Sequence, residues 1–110
     1  TDFMFHHCYN LKNVEIPDTI TEIPYGAFYG CTKLASVKLP ANLKKIDATA
    51  FISCVNLTEI KIPPTVKEIG RSAFKNCRRL ETVNMTSSED MVIHKSAFKD
   101  TPYAKTKDTK

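Results

Sequence analysis

Four cysteines, three histidines and a column of charges are the residues of this chain most able to do chemistry, and their spacing limits what that chemistry can be. Cys8, Cys31, Cys54 and Cys77 recur every 23 residues. A zinc site wants paired ligands of the Cys-x-x-Cys kind, which can reach one tetrahedron, and the chain has no such pair. Thiols projecting in parallel from layers about 4.8 Å apart come near disulfide distance but not the disulfide dihedral. The reading that remains is a column of buried free thiols serving as small apolar side chains. His6 and His7 beside Cys8 suggest a metal ligand group or a His–Cys nucleophile. Adjacent histidines on an extended or turn segment point to different sides, however, and no Asp or Glu lies in register to orient either ring. His94 stands where an earlier unit has Gly70, again without a carboxylate partner. Glu22, Lys45 and Glu68 occupy one column with alternating sign. Opposite charges stacked across neighbouring strands contribute about 0.2–1 kcal/mol. A general acid–base pair needs two carboxylates facing one pocket. These residues predict no catalytic, metal or cofactor site.

The elements that position these residues follow the same 23-residue period. Three residues after each cysteine stands Leu11, Leu34, Leu57 or Leu80, and three further on Val14, Val37, Ile60 or Val83. Ile16, Leu39, Ile62 and Met85 come next, with Pro17, Pro40 and Pro63 after the first three. Ile20, Leu43 and Val66 precede Ile23, Ile46 and Ile69, and an Ala-Phe pair closes each unit at Phe28, Phe51, Phe74 and Phe98. A segment such as Val37-Lys38-Leu39 alternates apolar and polar residues, which is strand periodicity, and the proline ends the strand by removing a backbone donor. Val66-Lys-Glu-Ile69 reads as a second short extended piece. The Ala-Phe-x-x-Cys stretch suits one helical or 3₁₀ turn, with Thr49, Ser72 and Ser96 as its N-caps. One unit cannot cover its own apolar side, so successive units must stack their Leu, Val, Ile, Phe and Cys columns into a continuous core.

Composition fits that design and excludes other classes. At 110 residues, 42% apolar and 25% charged, the chain is sized for one domain. No apolar run approaches the ~18 residues of a membrane helix, and Thr1 to Phe5 lack the basic start and apolar stretch of a signal peptide. The net charge of +4 is mild. Arg78, Arg79, Lys95, Lys99, Lys105, Lys107 and Lys110 crowd the last third, which reads as a solvated end. Nucleic acid would want a denser basic stripe with aromatics between the charges.

The pattern L-x-x-V/I-x-I/L-P-x-x-I/V-x-x-I-x-x-x-A-F-x-x-C resembles the BspA-type leucine-rich repeat of bacterial and protozoan surface proteins, from residue 4 to about 101. The resemblance implies an α/β solenoid, a right-handed leucine-rich-repeat superhelix of about four 23-residue coils. Short strands would line one face, short helical or 3₁₀ turns the other, and a cap would close the C-terminal end. It further implies a non-enzymatic, cofactor-free module at the cell surface or secreted. Its function would be protein recognition, as the repeat segment of an adhesin meeting a host matrix or cell-surface protein. The alternative is a structural spacer or stalk that projects other domains. Residues 1–104 are expected to form the repeat domain: a partial unit at 1–11, then 12–34, 35–57, 58–80 and a capping unit at 81–104. Residues 105–110 would be a basic tail without ordered structure. Two departures from the pattern support the boundaries. The last unit is one residue longer, has Thr86 for proline and Thr101 for cysteine, and is followed by Pro102, which should prevent further helix. The first begins mid-unit at Met4-Phe5-His6-His7-Cys8, which suggests preceding repeats and a coil edge open to self-association.

Any binding role falls to the outer columns. On the strand face these are Lys12, Ala35, Thr58, Glu81; Asn13, Ser36, Glu59, Thr82; and Glu15, Lys38, Lys61, Asn84. Lys38 with Lys61 makes a small basic pair suited to an acidic group. On the turn face, Tyr9, Tyr29, Ile52 and Val55 should cluster, and tyrosine is favoured at interfaces. Ile52 and Val55 could equally tuck between coils. The candidate protein-binding residues are therefore Tyr9, Tyr29, Ile52, Val55, Lys12, Glu15, Lys38, Glu59 and Lys61. Asn56-Leu57-Thr58 and Asn84-Met85-Thr86 also match the glycosylation sequon, a pattern short enough to arise by chance.

Overall fold

Alternation of inward β-branched and outward polar residues yields eight short strands in a computed structural model that describes residues 10–85 and 91–104. In chain order they are β1 (Asn13–Glu15), β2 (Glu22–Ile23), β3 (Ser36–Lys38), β4 (Lys45–Ile46), β5 (Glu59–Lys61), β6 (Glu68–Ile69), β7 (Thr82–Asn84) and β8 (Val92–Ile93). Every pairing is parallel and joins equivalent repeat positions: Val14 lies opposite Val37, Ile23 opposite Ile46, Ile60 opposite Val83 and Ile69 opposite Ile93. The chain is thus a β-solenoid with 23-residue coils, of about three turns. Residues 1–9 of the partial first unit, with His6, His7, Cys8 and Tyr9, lie outside the described residues, as do Thr86 to Asp90 and the tail 105–110.

The core is a set of vertical columns. Phe28, Phe51, Phe74 and Phe98 stack face to face, with ring centroids 5.0, 5.0 and 5.1 Å apart and interplanar angles of 6° or less. Leu34, Leu57 and Leu80, Ile46 and Ile69, and Cys31, Cys54 and Cys77 are wholly buried beside them. Burying such side chains contributes about 1.5–3 kcal/mol each, so the columns hold the coils together and the two- and three-residue strands are their consequence.

The turn face keeps the expected short turns, but not their N-caps. Ala-Phe-x-x-Cys forms consecutive hydrogen-bonded turns, and Thr49 and Ser72 are not N-caps. They have left-handed backbones, φ 58° and 56°, matching Gly26 at 64° in the preceding coil. A second left-handed position follows two residues after each phenylalanine, at Gly30, Ser53, Asn76 and Asp100. Gly, Asn and Asp tolerate this region best. The two reversals let amides alternate. Phe51 and Ser53 N–H donate up to Ala73 and Lys75 carbonyls in the next coil, while Ile52 and Cys54 N–H donate back to Thr49 and Phe51. A true helix would turn all these amides along its own axis and leave none for the neighbouring coil.

The C-terminal end also corrects an expectation. Pro102 opens a helical turn at 102–104 where it was expected to block one. Proline suits the first helical position, whose amide would be unpaired anyway. Thr101 supplies the cap. Its hydroxyl donates to the Phe98 carbonyl (2.6 Å) and accepts from the Ala104 amide (3.0 Å). Tyr103 then meets Phe98 edge-on, at 5.0 Å and 64°.

Candidate functional site

The thiol column is chemically quiet, for reasons of position. Cys54 and Cys77 donate their S–H to the carbonyls of Phe28 (3.3 Å) and Phe51 (3.1 Å) in the coil before. Cys31, Cys54 and Cys77 are unbridged. Burial pushes the Cys77 thiol up to about 12 and the Cys54 thiol higher still, with the neighbouring sulfurs adding to the effect on Cys54. A nucleophilic cysteine needs the opposite shift. Among the described residues no group of His, Cys, Asp or Glu is arranged to hold a metal. His94 Nδ1 is engaged by the Ser96 amide and hydroxyl, at 3.2 and 2.9 Å.

The remaining surface consists of two strand walls and a turn wall. Along the wall of β1, β3, β5 and β7, the predicted residues Lys12, Glu15, Lys38, Glu59 and Lys61 are all exposed. The register brings several together. Lys38 Nζ lies 3.7 Å from Glu15 Oε2, Asn84 Nδ2 donates to Glu59 Oε2 at 2.9 Å, and Ser36 Oγ donates to Asn13 Oδ1 at 2.6 Å. Lys61 has no ion pair among the described residues. The expected basic pair is therefore uneven, with Lys38 leaning on an acid and Lys61 without one.

This wall is not one sheet. β1 pairs with β3 and β5 with β7, but no ladder joins β3 to β5, although the two lie side by side. The break falls where Lys38 and Lys61 meet, the like-charge step in the column Glu15, Lys38, Lys61, Asn84. Like charges directly opposite destabilise a strand pair, by an amount that water reduces at exposed positions such as these. One ladder hydrogen bond contributes a net ~0.5–1.5 kcal/mol, and strands this short have few bonds to set against the repulsion. A hollow of about 390 Å³ opens beside the break. Its floor is Val37, Leu39 and Ala41 on one coil and Pro63 and Pro64 on the next, with Lys38 and Lys61 at the rim. Val37 and Leu39 retain 9% and 8% exposure, whereas Leu34 and Leu43 on either side have none.

The second strand wall is continuous. β2, β4, β6 and β8 form a four-stranded parallel sheet, and its charge column runs Glu22, Lys45, Glu68 as the alternation predicts. Lys45 Nζ lies 3.9 Å from Glu68 Oε1. Between the two strand walls a corner is lined by Asn42, Lys44, Pro64, Thr65 and Lys67. Sequence reasoning passed over this corner because Lys44 and Lys67 have no striking motif around them; only their shared column could have marked them.

On the turn wall Tyr29 is 40% exposed, while Ile52 and Val55 are half-buried, partly tucked between coils. Tyr9 lies outside the described residues. Tyr25, 44% exposed, was missed. It stands just before the left-handed Gly26, a position that faces outward in each coil, so the turn geometry is the signal that would have found it. Of the sequon residues, Asn56 is half-buried and Asn84 exposed, and Thr86 is not described.

A family profile described as "BspA type Leucine rich repeat region" matches residues 1–107 in six copies. Several solved structures share the fold. A leucine rich cell surface protein from Faecalibacterium prausnitzii is 38% identical with a TM-score of 0.74, over 78% of this chain and 22% of that one. A leucine-rich repeat protein from Bacteroides ovatus is 34% identical with a TM-score of 0.80, over 88% and 24%. The leucine rich repeat protein of T. pallidum is 32% identical with a TM-score of 0.76, over 90% and 46%. The chain thus spans less than half the length of each of these three. No curated protein matches it.

Proposed function

Since the chain belongs to the BspA-type leucine-rich repeat family, we propose that it is the protein-recognition segment of a cell-surface or secreted adhesin, whose partner is a matrix or cell-surface protein. A cell-surface location is drawn from the Faecalibacterium relative, which carries that description. The observation that carries the reading is the exposure of Tyr25 (44%) and Tyr29 (40%) on the turn wall, where Ile52 and Val55 are half-buried, on a solenoid whose core columns are closed. Tyrosine offers large contact area at low entropic cost and is enriched where proteins meet. Leucine-rich repeat folds generally serve protein interaction, and packed coils leave their outer walls as the surface for it.

The test is solid-phase binding of the chain to immobilised extracellular-matrix proteins, alongside a Tyr25→Ser/Tyr29→Ser variant of unchanged circular dichroism. Saturable binding that the double variant loses supports the reading. Binding that survives both changes, or none to any matrix protein, refutes it in favour of a spacer that projects other domains.

A further inference from the structure

We infer that the break between β3 and β5 is a slot for an extended acidic peptide, with a carboxylate seated between Lys38 and Lys61 and the adjoining apolar side chain in the hollow over Val37, Leu39, Ala41, Pro63 and Pro64. This deepens the protein-recognition reading and rests on it.

Three observations converge on the slot. First, the ladders of β3 and β5 run to β1 and β7 and not to each other. Ser36 N–H donates to Lys12 and Lys38 C=O accepts from Ile16, so these two residues turn their peptide groups toward β1. Thr58 C=O and Ile62 N–H bond toward β7. Amide direction alternates along a strand, which turns Val37 on one side, and Glu59 and Lys61 on the other, toward a gap that no ladder bridges. Second, the hollow is apolar at its base and lined by residues of two coils, with a volume of about 390 Å³. That is ample for a leucine-sized side chain, and the partial exposure of Val37 and Leu39 gives such a side chain something to cover.

Third, the charged side chains that line the hollow and its neighbouring corner are all lysines, with Glu15 beside Lys38 and Glu59 further along β5. Lys38 and Lys61 stand at the rim, and Lys44 and Lys67 line the adjoining corner, which shares Pro64 with the hollow. Lys44, Lys61 and Lys67 have no ion pair among the described residues. Lys38 is held only by an exposed contact to Glu15, which water screens. An incoming carboxylate would neutralise the like-charge step that interrupts the wall. A second acidic residue further along the same segment would reach Lys44 or Lys67. A basic or neutral peptide would leave the step repulsive.

The probe is a short end-capped peptide of alternating leucine and glutamate, titrated into the ¹⁵N-labelled chain, with the leucine–lysine peptide as control. Saturable shifts are expected at the amides of Val37, Lys38, Leu39, Ala41, Glu59 to Ile62 and Thr65, absent with the control. Lys61→Glu should weaken binding about tenfold or more, and Lys61→Met by less. Shifts centred elsewhere, equal shifts with the lysine peptide, or an unchanged titration of Lys61→Glu would each overturn the slot. Matrix binding that depends on Tyr25 and Tyr29 but ignores Lys61→Glu would likewise overturn it and leave the recognition reading standing. A saturable peptide titration with no matrix protein bound would keep the slot and remove the adhesin.

Discussion

The two strand walls are written in the same 23-residue repeat, yet β2, β4, β6 and β8 run as one ladder while the wall opposite splits between β3 and β5. Their inward columns differ in kind: Ile23, Ile46 and Ile69 on the continuous wall are closed, whereas Val37 on the split wall keeps 9% exposure. The exposed columns differ as well. On the continuous wall the charges alternate through Glu22, Lys45 and Glu68; on the split wall two lysines fall in succession. Buried columns set where coils stack, and exposed columns set how tightly each edge closes. In a solenoid whose strands are two or three residues long, a pairwise effect below about 1 kcal/mol is enough to open an edge.

The comparison can be broken or sharpened by mutation. The largest effect should come from Phe51→Ala, since Phe51 stacks on Phe28 and Phe74 across the very coils whose outer edge is parted. Chemical denaturation should record a loss of about 3–5 kcal/mol. A loss below about 1 kcal/mol would mean that the walls, not the core, hold the coils. Gly70→Ala probes the continuous wall. Its new Cβ would sit 2.7 Å from the Ala48 backbone nitrogen, and the backbone cannot yield as a side chain would. A cost of about 1–3 kcal/mol follows from overpacking, and a neutral outcome would show this wall to be as loose as the split one.

Alkaline pH tests the columns between the walls. A thiol whose folded pKa is raised contributes stability that is intact below its unfolded value near 9 and lost as pH climbs toward the folded value. For Cys77 that window runs from 9 to about 12. Stability should fall there by about 1.4 kcal/mol per pH unit for one such group. A Cys77→Ala variant should show a shallower fall than the parent, and equal slopes would place the thiol in water. The smallest and most specific effect is Lys61→Glu, which sets an acid opposite Lys38. It should add about 0.2–1 kcal/mol and slow amide exchange at Val37 and at position 61. Glu68→Lys should do the reverse to the continuous wall, and exchange rates indifferent to both changes would remove charge as the cause.

Much of this was legible in the sequence because a repeat reports its own contacts. Phe28, Phe51 and Phe74 at equal intervals already imply a stack, and Leu34, Leu57 and Leu80 a second column, so the solenoid and its core could be read without coordinates. Glu15 with Lys38, and Lys45 with Glu68, followed from the same register. Residue types on the turn face were misread. Thr49 and Ser72 suit an N-cap by composition, and only the equivalence with Gly26 hints at a left-handed backbone. Pro102 reads as a helix stop by residue type alone, because its role depends on Thr101 before it, which caps the turn that proline then begins. The split wall was invisible for a different reason. Periodicity places Lys38 and Lys61 opposite each other but cannot say whether hydrogen bonds survive their repulsion. Tyr25 escaped because its column changes character from coil to coil, through Ala48, Arg71 and Lys95.

Tyr103 gives the molecule a direction. Each phenylalanine offers a flat face on which the next ring can lie, and that template is handed on from Phe28 to Phe98. Tyr103 meets Phe98 edge-on, so the handing-on stops. Among the described residues the face-to-face series thus closes on an edge-on contact and not on another flat ring.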